Sequence, residues 1–192
     1  MDQKYNTDQQ LIAGINRGDR MAFTKLVDQW RGRVFHYALR YSNDRYFAEE
    51  VMQRVFIQVH QKLDQLRDPD KFKWWMYRII SNECLSEGRK VKRKSEVIQN
   101  TDALPDFSDF NDPYFLYNKS ERGKVVLMAL QSIPAEQRQI IIMKEYEGMK
   151  FREIAEVLNE SENTVKSRLY YGLKAMKNIL MKHQWTKELY HG

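Results

Sequence analysis

The stretch FREIAEVLNESENTVKSRL, residues 151–169, reads as two helices separated by a short interruption. Apolar residues recur at three-to-four spacing on both sides of the residues NES, namely Ile154, Ala155 and Leu158 before them and Val165 and Leu169 after them. Ser161, the last residue of the interruption, is suited to cap the second helix. A helix, a tight turn and a second helix form the pattern of a DNA-binding helix-turn-helix.

The second of these helices carries polar and aromatic residues on its outward and flanking positions: Glu162, Asn163, Lys166, Ser167, Tyr170 and Tyr171. Side chains of Asn, Lys, Ser and Tyr can hydrogen-bond to base edges or phosphates, and Arg168 and Lys174 can neutralise backbone charge. The same pattern also fits an ordinary amphipathic helix with one solvated face. The inward thread is expected to comprise Val165, Leu169, Leu173, Met176 and Leu180.

The length of 192 residues allows one ordinary domain or two small ones. Helical spacing dominates the chain except in SEVIQNTDALPDFSDFNDPY, residues 95–114, which has no helical period and two prolines. Residues 96–121 hold one basic and six acidic groups, whereas the flanking blocks are both basic. We therefore predict an all-α fold of two small helical domains, at residues 1–95 and 118–192, joined by a flexible acidic linker at residues 96–117.

Within the first domain the periodicity predicts four helices. Gly18 and Asp19 are expected to end the first helix and begin the second, and the residues SND, 42–44, separate the second from the third. Asp70 can cap the fourth helix, which runs out in GRKVKRK, residues 88–94. In the second domain a helical run beginning near Pro134 is expected to break at Gly148.

No constellation indicates catalysis. The four histidines and the single Cys84 lack metal-ligand spacing, no Gly-rich loop follows a strand, and Glu49 and Glu50 point in different directions on a helix. We expect no enzyme activity, metal, cofactor or small-molecule substrate. One cysteine allows no internal disulfide, and neither a signal peptide nor an apolar run of membrane-spanning length is present, which predicts a soluble protein of a reducing cytoplasm.

Residues 130–180 resemble region four of the extracytoplasmic-function (ECF) sigma factors of RNA polymerase. The pattern of that family, Leu-Pro, Glu-Gly, an E-I-A helix and T-V-K-S-R-L, is matched at Pro134, Glu147–Gly148, Glu153–Ala155 and Thr164–Leu169. A second match lies in the first domain, where YFAEEVMQRVFIQVHQKL (46–63) and FKWWMYRIISNECL (72–85) resemble the helices of region two. The two matches occur in the order of the family, with a linker between them.

The resemblance implies a promoter-specificity subunit that binds core RNA polymerase through the clamp of its largest subunit and through its flap. It also implies contact with double-stranded and melted promoter DNA, and it admits an anti-sigma factor as a partner. The implied upstream-element residues are the readers Lys166, Ser167, Tyr170 and Tyr171, the phosphate contacts Arg168 and Lys174, and the supporting Asn163 and Thr164. The implied downstream-element residues, around a loop that captures a flipped base, are Arg67, Asp68, Lys71, Phe72, Trp74, Tyr77, Arg78, Asn82, Arg89 and Lys90. The implied polymerase contacts are Glu49, Glu50, Gln53 and Arg54.

This chain departs from the family pattern at three positions. Arg54 replaces a usual acidic residue, so the charge pairing there must differ. Tyr171 and Gly172 stand where Arg and Ala are common; a Tyr ring suits a thymine methyl, and the glycine permits close approach of DNA or of a neighbouring helix.

Three further hypotheses remain open, one for the linker and two for the function of the whole chain. The acidic residues of the linker are hypothesised to thread the RNA channel of the polymerase. The competing functions are a repressor or activator that uses the helix-turn-helix without polymerase, and a helical adaptor with a basic surface.

Overall fold

The structure, a computed structural model, describes residues 7–97 and 121–182. Helices α1 to α8 and no strand occur in these two stretches: α1 Asp8–Asn16, α2 Arg20–Ser42, α3 Arg45–Lys62, α4 Phe72–Val97, α5 Glu121–Gln131, α6 Ala135–Ile141, α7 Phe151–Leu158 and α8 Glu162–Lys182. Two 3₁₀ turns, Leu63–Gln65 and Pro69–Lys71, join α3 to α4. A π-helical turn, Ile142–Tyr146, extends α6. The all-α fold class predicted from the periodicity is confirmed.

Close backbone contacts group residues 7–39 and 44–96 into a first compact unit, and residues 40–43, 97 and 121–182 into a second. Helix α4 continues through Val97, so residues 95–97, which the sequence placed at the start of the aperiodic segment, are helical. Residues 98–117 of the predicted linker, with the RNA-channel hypothesis attached to them, lie outside the described residues.

The first unit follows its sequence signals closely. Gly18 has a φ of +83°, which suits a residue without a side chain, and Asp19 Oδ1 accepts a 3.0 Å hydrogen bond from the backbone N–H of Met21. Asp44 likewise caps α3 by accepting a 3.1 Å bond from Phe47 N–H. The inner stripes of α2, α3 and α4 then pack into one core that includes Leu26, Trp30, Val34, Val51, Val55, Val59, Phe72, Met76 and Ile80.

Helix α1 is fastened to that core by a buried polar contact. The indole N–H of Trp30, whose side chain is fully buried, donates a 2.9 Å hydrogen bond to Asp8 Oδ1. The ring of Trp30 meets Phe72 and Tyr77 edge to face, with centroids 5.6 and 5.9 Å apart. A buried indole N–H without an acceptor costs free energy, so the hydrogen bond to Asp8 stabilises a tryptophan at this core position.

The start of α4 differs from the expectation. Asp68, not Asp70, is the capping residue, because its Oδ1 accepts a 3.0 Å bond from Asp70 N–H and begins the 3₁₀ turn that leads into α4. Asp70 instead accepts a 3.1 Å hydrogen bond from Gln9 Nε2 of α1.

In the second unit, α5 and α6 are joined by a turn that Arg138 holds. Its guanidinium donates to the backbone carbonyls of Leu130, Gln131 and Ile133 at 3.0, 2.6 and 3.1 Å. These carbonyls include the last ones of α5, which have no partner within their own helix. Burial of the guanidinium lowers the pKa of Arg138.

The predicted break at Gly148 is confirmed. Gly148 has a φ of +64°. The helix ends in two hydrogen bonds of longer sequence separation than the α-helical one, from Glu147 N–H to Ile142 O at 3.2 Å and from Met149 N–H to Met143 O at 3.0 Å. The π-helical turn was not predicted, since no spacing in the sequence distinguishes it from a continued α-helix.

Helix α8 packs on α6 and α7 through Val165, Leu169, Gly172 and Met176, all buried. Two expectations for this thread need correction. Leu173 is 43% exposed, and Leu180 is only half-buried. Gly172 takes the inward place, with its α-carbon so close to α6 that an added Cβ would lie 3.0 Å from Ile141 Cδ1 and 3.2 Å from Gln137 Cβ.

No helix in residues 7–97 or 121–182 has the length and apolar character of a membrane span.

Candidate nucleic-acid interface

The helix-turn-helix of the second unit is built from short-range capping signals. Asn159 ends α7 in the left-handed conformation with a φ of +54°, and Glu160 N–H donates to Ala155 O at 3.0 Å. Ser161 Oγ accepts a 3.0 Å bond from Thr164 N–H and begins α8, as predicted. Since Ile154 and Val165 are fully buried, the two helices share a small core that fixes their angle.

The buried residues of α8 define which of its residues face away from the unit. An α-helix turns by 100° per residue, so the direction opposite to Val165, Leu169 and Gly172 passes through Asn163, Ser167 and Lys174. All three are exposed, and Tyr170 and Tyr171 lie on either side of this line. The structure therefore brings five of the eight predicted upstream residues onto one outward face.

The other three upstream residues lie on the flanks or make contacts within the unit. Lys166 Nζ lies 3.6 Å from Glu162 and 5.6 Å from the centroid of the Phe151 ring. Arg168 Nη1 is bonded to Glu160 Oε1 at 3.1 Å. Thr164 Oγ1 is 2.8 Å from Ser161 Oγ at the cap. The exposed ion pairs of Lys166 and Arg168 are each worth at most about 1 kcal/mol, so a phosphate can replace the carboxylate.

In the first unit the segment between α3 and α4 presents Arg67, Asp68 and Lys71, all exposed. Asp68 shapes this segment, because its side chain binds Asp70 N–H and its carbonyl accepts a 3.0 Å bond from Lys71 N–H. The contact between Gln9 and Asp70 ties the same segment to α1.

Helix α4 continues this surface along one face. Trp74, Arg78, Asn82 and Arg89 are separated by four, four and seven residues, which places them in one row. Arg78, Asn82 and Arg89 are exposed and Trp74 is half-buried. The indole N–H of Trp74 is buried and has no acceptor in the described part of the chain. The row combines cations, an amide and an aromatic ring, as single-stranded nucleic acid requires.

Three predicted downstream residues do not belong to this row. Phe72 and Tyr77 are 1% and 2% exposed and pack against Trp30, so neither ring has a face free for a base. Lys90 lies on another face, where its Nζ is 3.1 Å from Glu87 Oε2. Phe72 and Tyr77, which the resemblance implies as downstream-element residues, are therefore core residues whose rings cannot stack on a base.

On α3, the predicted polymerase contacts lie on or beside one exposed strip. Glu49 pairs with Arg45 at 2.9 Å, and Gln53 is exposed. Arg54 bonds to Glu50 through Nε and Nη2 at 2.8 and 2.7 Å, and its Nη1 lies 3.0 Å from Glu87 Oε2 on α4. The hydrogen bond to Glu50, supported by Glu87, raises the pKa of Arg54. The unusual arginine is thus neutralised by carboxylates of its own unit.

Sequence reasoning missed the apolar ends of this strip. Tyr46 is 83% exposed and Ile57 is 55% exposed, and both lie in line with Glu50 and Gln53. Their spacing of four, three and four residues is the signal for this row, but in a sequence it resembles the apolar spacing of a buried stripe.

The remaining reactive groups form no second site in the described stretches. No group of three or more His, Cys, Asp or Glu residues there could hold a metal ion. Cys84 is fully buried, and desolvation raises the pKa of its thiol well above the ordinary value.

Comparison with known proteins assigns both units. A family model described as Sigma-70 region 2 matches residues 26–94, and one described as Sigma-70, region 4 matches residues 124–176. The ECF RNA polymerase sigma-E factor of Escherichia coli K12 is 29% identical over 182 residues, covering 90% of this chain and 93% of that protein. The chain belongs to the ECF sigma factor family. The RNA polymerase sigma-H factor of Pseudomonas aeruginosa is also similar, at 27% identity over 183 residues, with 90% and 93% covered.

Two solved structures support the fold of this sigma factor. The sigma factor RpoE from Bartonella quintana, crystallised with the anti-sigma factor NepR, matches with a TM-score of 0.62 and 21% identity, covering 83% of this chain and 96% of that one. CnrH, in complex with the cytosolic domain of CnrY, matches with a TM-score of 0.67 and 22% identity, covering 92% and 99%.

Proposed function

We propose that this ECF sigma factor divides promoter recognition between its two units and binds core RNA polymerase through α3. Residues 118–192 read the upstream promoter element, and residues 1–95 bind the polymerase and capture the melted downstream element, with the acidic linker at residues 96–117 between them. The observation that carries the proposal is the outward face of α8, whose exposed side chains stand on a capped and tightly packed helix-turn-helix.

For the upstream element, α8 enters the major groove with its N-terminal half. Asn163 and Ser167 face base edges, and Tyr170 and Tyr171 lie one turn further along the same face. Lys166, Arg168 and Lys174 contact phosphates on either side and along the helix, and Thr164 supports the cap. The helix carries five basic residues and one acidic residue, which favours the polyanionic duplex.

For the downstream element, the segment with Arg67, Asp68 and Lys71 receives an unstacked base, and the row on α4 guides the single strand. Trp74 offers the partly exposed ring of that row, whereas Phe72 and Tyr77 support it from the core. Arg78 and Arg89 neutralise phosphates, and Asn82 provides an amide for base or sugar contacts.

For the polymerase, the exposed strip of α3 is the docking surface for the clamp of the largest subunit. Glu50 and Gln53 lie at its centre, with Glu49 beside them and Tyr46 and Ile57 at its ends. Because Arg54 is held by Glu50 and Glu87, it presents little net charge and contributes chiefly by ordering Glu50. A second contact, with the flap, is made by the second unit.

The sigma factor acts in the cytoplasm, where the polymerase is, and it performs no catalysis of its own. Its fold neighbours RpoE and CnrH were solved with the anti-sigma factor NepR and with the cytosolic domain of CnrY. We include an anti-sigma factor among the partners of this chain on that basis.

In vitro transcription tests the proposal. Purified chain and core polymerase are incubated with a library of promoter fragments, and the run-off transcripts are sequenced. We expect chain-dependent start sites that share an upstream and a downstream element. DNA binding without transcription and without co-migration with core enzyme would show a plain repressor or activator instead, and no binding to either partner would leave only the adaptor.

Two single substitutions separate the two surfaces. Lys166→Ala should weaken promoter binding and leave binding to core enzyme unchanged, because Lys166 lies on α8. Gln53→Ala should weaken core binding and leave the sequence preference of the holoenzyme unchanged. Crossed outcomes would contradict the assignment of the two faces.

A further inference from the structure

We infer that Tyr170 and Tyr171 together recognise thymine methyl groups in the upstream element. The inference rests on the proposed function of α8 and adds the chemical identity of the bases it prefers. No polar reader is needed at these bases, since the recognition is by apolar contact.

The first observation is exposure. Tyr170 and Tyr171 are 63% and 59% exposed, although an aromatic ring ordinarily stabilises a protein by being buried. Their rings contact each other edge to face, with centroids 5.6 Å apart and planes at 71°. The two rings therefore support one another and form one continuous apolar surface with two hydroxyl groups.

The second observation is position. Gly172 and Leu169 fix the buried side of α8, and the two tyrosines lie about 50° to either side of the opposite direction. Ser167 precedes them and Lys174 follows them on the same face. The tyrosine pair thus spans the width of the face that points away from the unit, about 12 Å from the start of the helix by its rise per residue.

The third observation is what surrounds the pair. Lys166, Arg168 and Lys174 lie within one turn of it, so an apolar surface is framed by cations. A protein partner can cover exposed rings without flanking cations. A DNA major groove presents phosphates at both edges and bases between them, which matches an apolar surface between cations.

Base chemistry then selects the ligand. In the major groove the C5-methyl group of thymine is the apolar feature that the four bases offer, and it is contacted by apolar and aromatic side chains. Burying one methyl group is worth about 0.8 kcal/mol, which corresponds to about a fourfold change in affinity.

A deoxyuridine scan tests the inference with the full chain in holoenzyme. The preferred upstream element is first selected from a randomised library, and each thymine is then replaced by deoxyuridine, which removes only the methyl group. We expect about a fourfold loss of affinity at one or two thymines. Tyr170→Ala and Tyr171→Ala should each abolish the loss at one position, whereas the Tyr→Phe variants should retain it because the ring remains.

Lys174→Ala is the matched control. It should weaken binding to every sequence and reduce the slope of log affinity against log salt concentration by about the amount of one phosphate contact. The loss of affinity on replacing thymine by deoxyuridine should stay unchanged. An equal penalty in wild type and both Ala variants would overturn the inference, as would a scan in which no thymine matters. Loss of core-polymerase binding in the Ala variants, with the penalty unchanged, would also overturn it and assign the pair to the polymerase. If the holoenzyme selects no upstream sequence at all, the proposed function itself has failed.

Discussion

Replacing Gly172 with alanine should destabilise the second unit even though alanine is the better helix former. In a helix interior the exchange of Gly for Ala contributes about 1 kcal/mol of stability through backbone entropy. Here the new Cβ would lie 3.0 Å from Ile141 Cδ1 and 3.2 Å from Gln137 Cβ. The Ile141 methyl can rotate away, but the Gln137 Cβ is fixed to α6. Forcing an extra carbon into a packed contact costs about 1–3 kcal/mol, so we expect a net loss of about 1 kcal/mol.

Hydrogen exchange followed by mass spectrometry measures this loss in the full chain, through peptides that cover α6 and α8. Gly32 provides the control, because it lies inside α2 and a Cβ added there meets no atom within 4 Å. Gly32→Ala should therefore slow exchange in α2 and raise its opening free energy by about 1 kcal/mol, the full gain in helix propensity. If Gly172→Ala slows exchange in α6 and α8 to the same extent, the close approach of the two helices does not constrain position 172 and the reasoning is refuted.

Substitutions at three further positions probe the caps and the core. Asp8→Ala should lower the free energy of unfolding of the first unit by about 1–3 kcal/mol in urea titrations, because the buried indole N–H of Trp30 loses its acceptor; an unchanged midpoint would mean that water replaces it. Ser161→Ala should cost about 1 kcal/mol by hydrogen exchange in α8, and Ser161→Asp should restore most of it, since Thr164 N–H needs only an acceptor. The buried thiol of Cys84 should react with a maleimide only when the chain unfolds. The free energy of unfolding should fall as pH rises above about 9, because only the unfolded chain then releases the thiol proton, and Cys84→Ala should lack this fall.

The helix boundaries of this protein were largely predictable because the signals that set them are local. Asp19, Asp44 and Ser161 each bind an N–H two or three residues further along, so the sequence contains both partners of the contact. The same holds for Gly18 and Gly148, whose positive φ values end helices. The sequence predicts Asp70 as the cap of α4, but Asp68, two residues earlier, begins a 3₁₀ turn first.

The surface of the candidate site was less predictable because it depends on contacts between helices. Arg54 reads as an exposed cation on α3, and its partner Glu87 lies 33 residues away on α4. The helical spacing of Phe72 fits a core position, whereas the family resemblance implies a base pocket for both Phe72 and Tyr77. The contacts of both rings with Trp30 on α2 decide for the core. Periodicity gives the faces of one helix but not which neighbour covers them.

The inward residue of α8 at this level is Gly172, whereas the sequence predicts Leu173. This difference decides which side chains α8 presents for the proposed promoter contact. A thread through Leu173 would turn the buried side of α8 by 100° at that level, and the outward direction would move with it. Tyr171 would then lie closer to the centre of the groove-facing side, and Tyr170 would turn toward the protein. Because Gly172 packs against α6 instead, both tyrosines flank the outward line and both rings stay exposed. Under the proposed recognition by Tyr170 and Tyr171, the small residue at position 172 acts indirectly, because its packing against α6 sets the rotation at which α8 presents its aromatic pair.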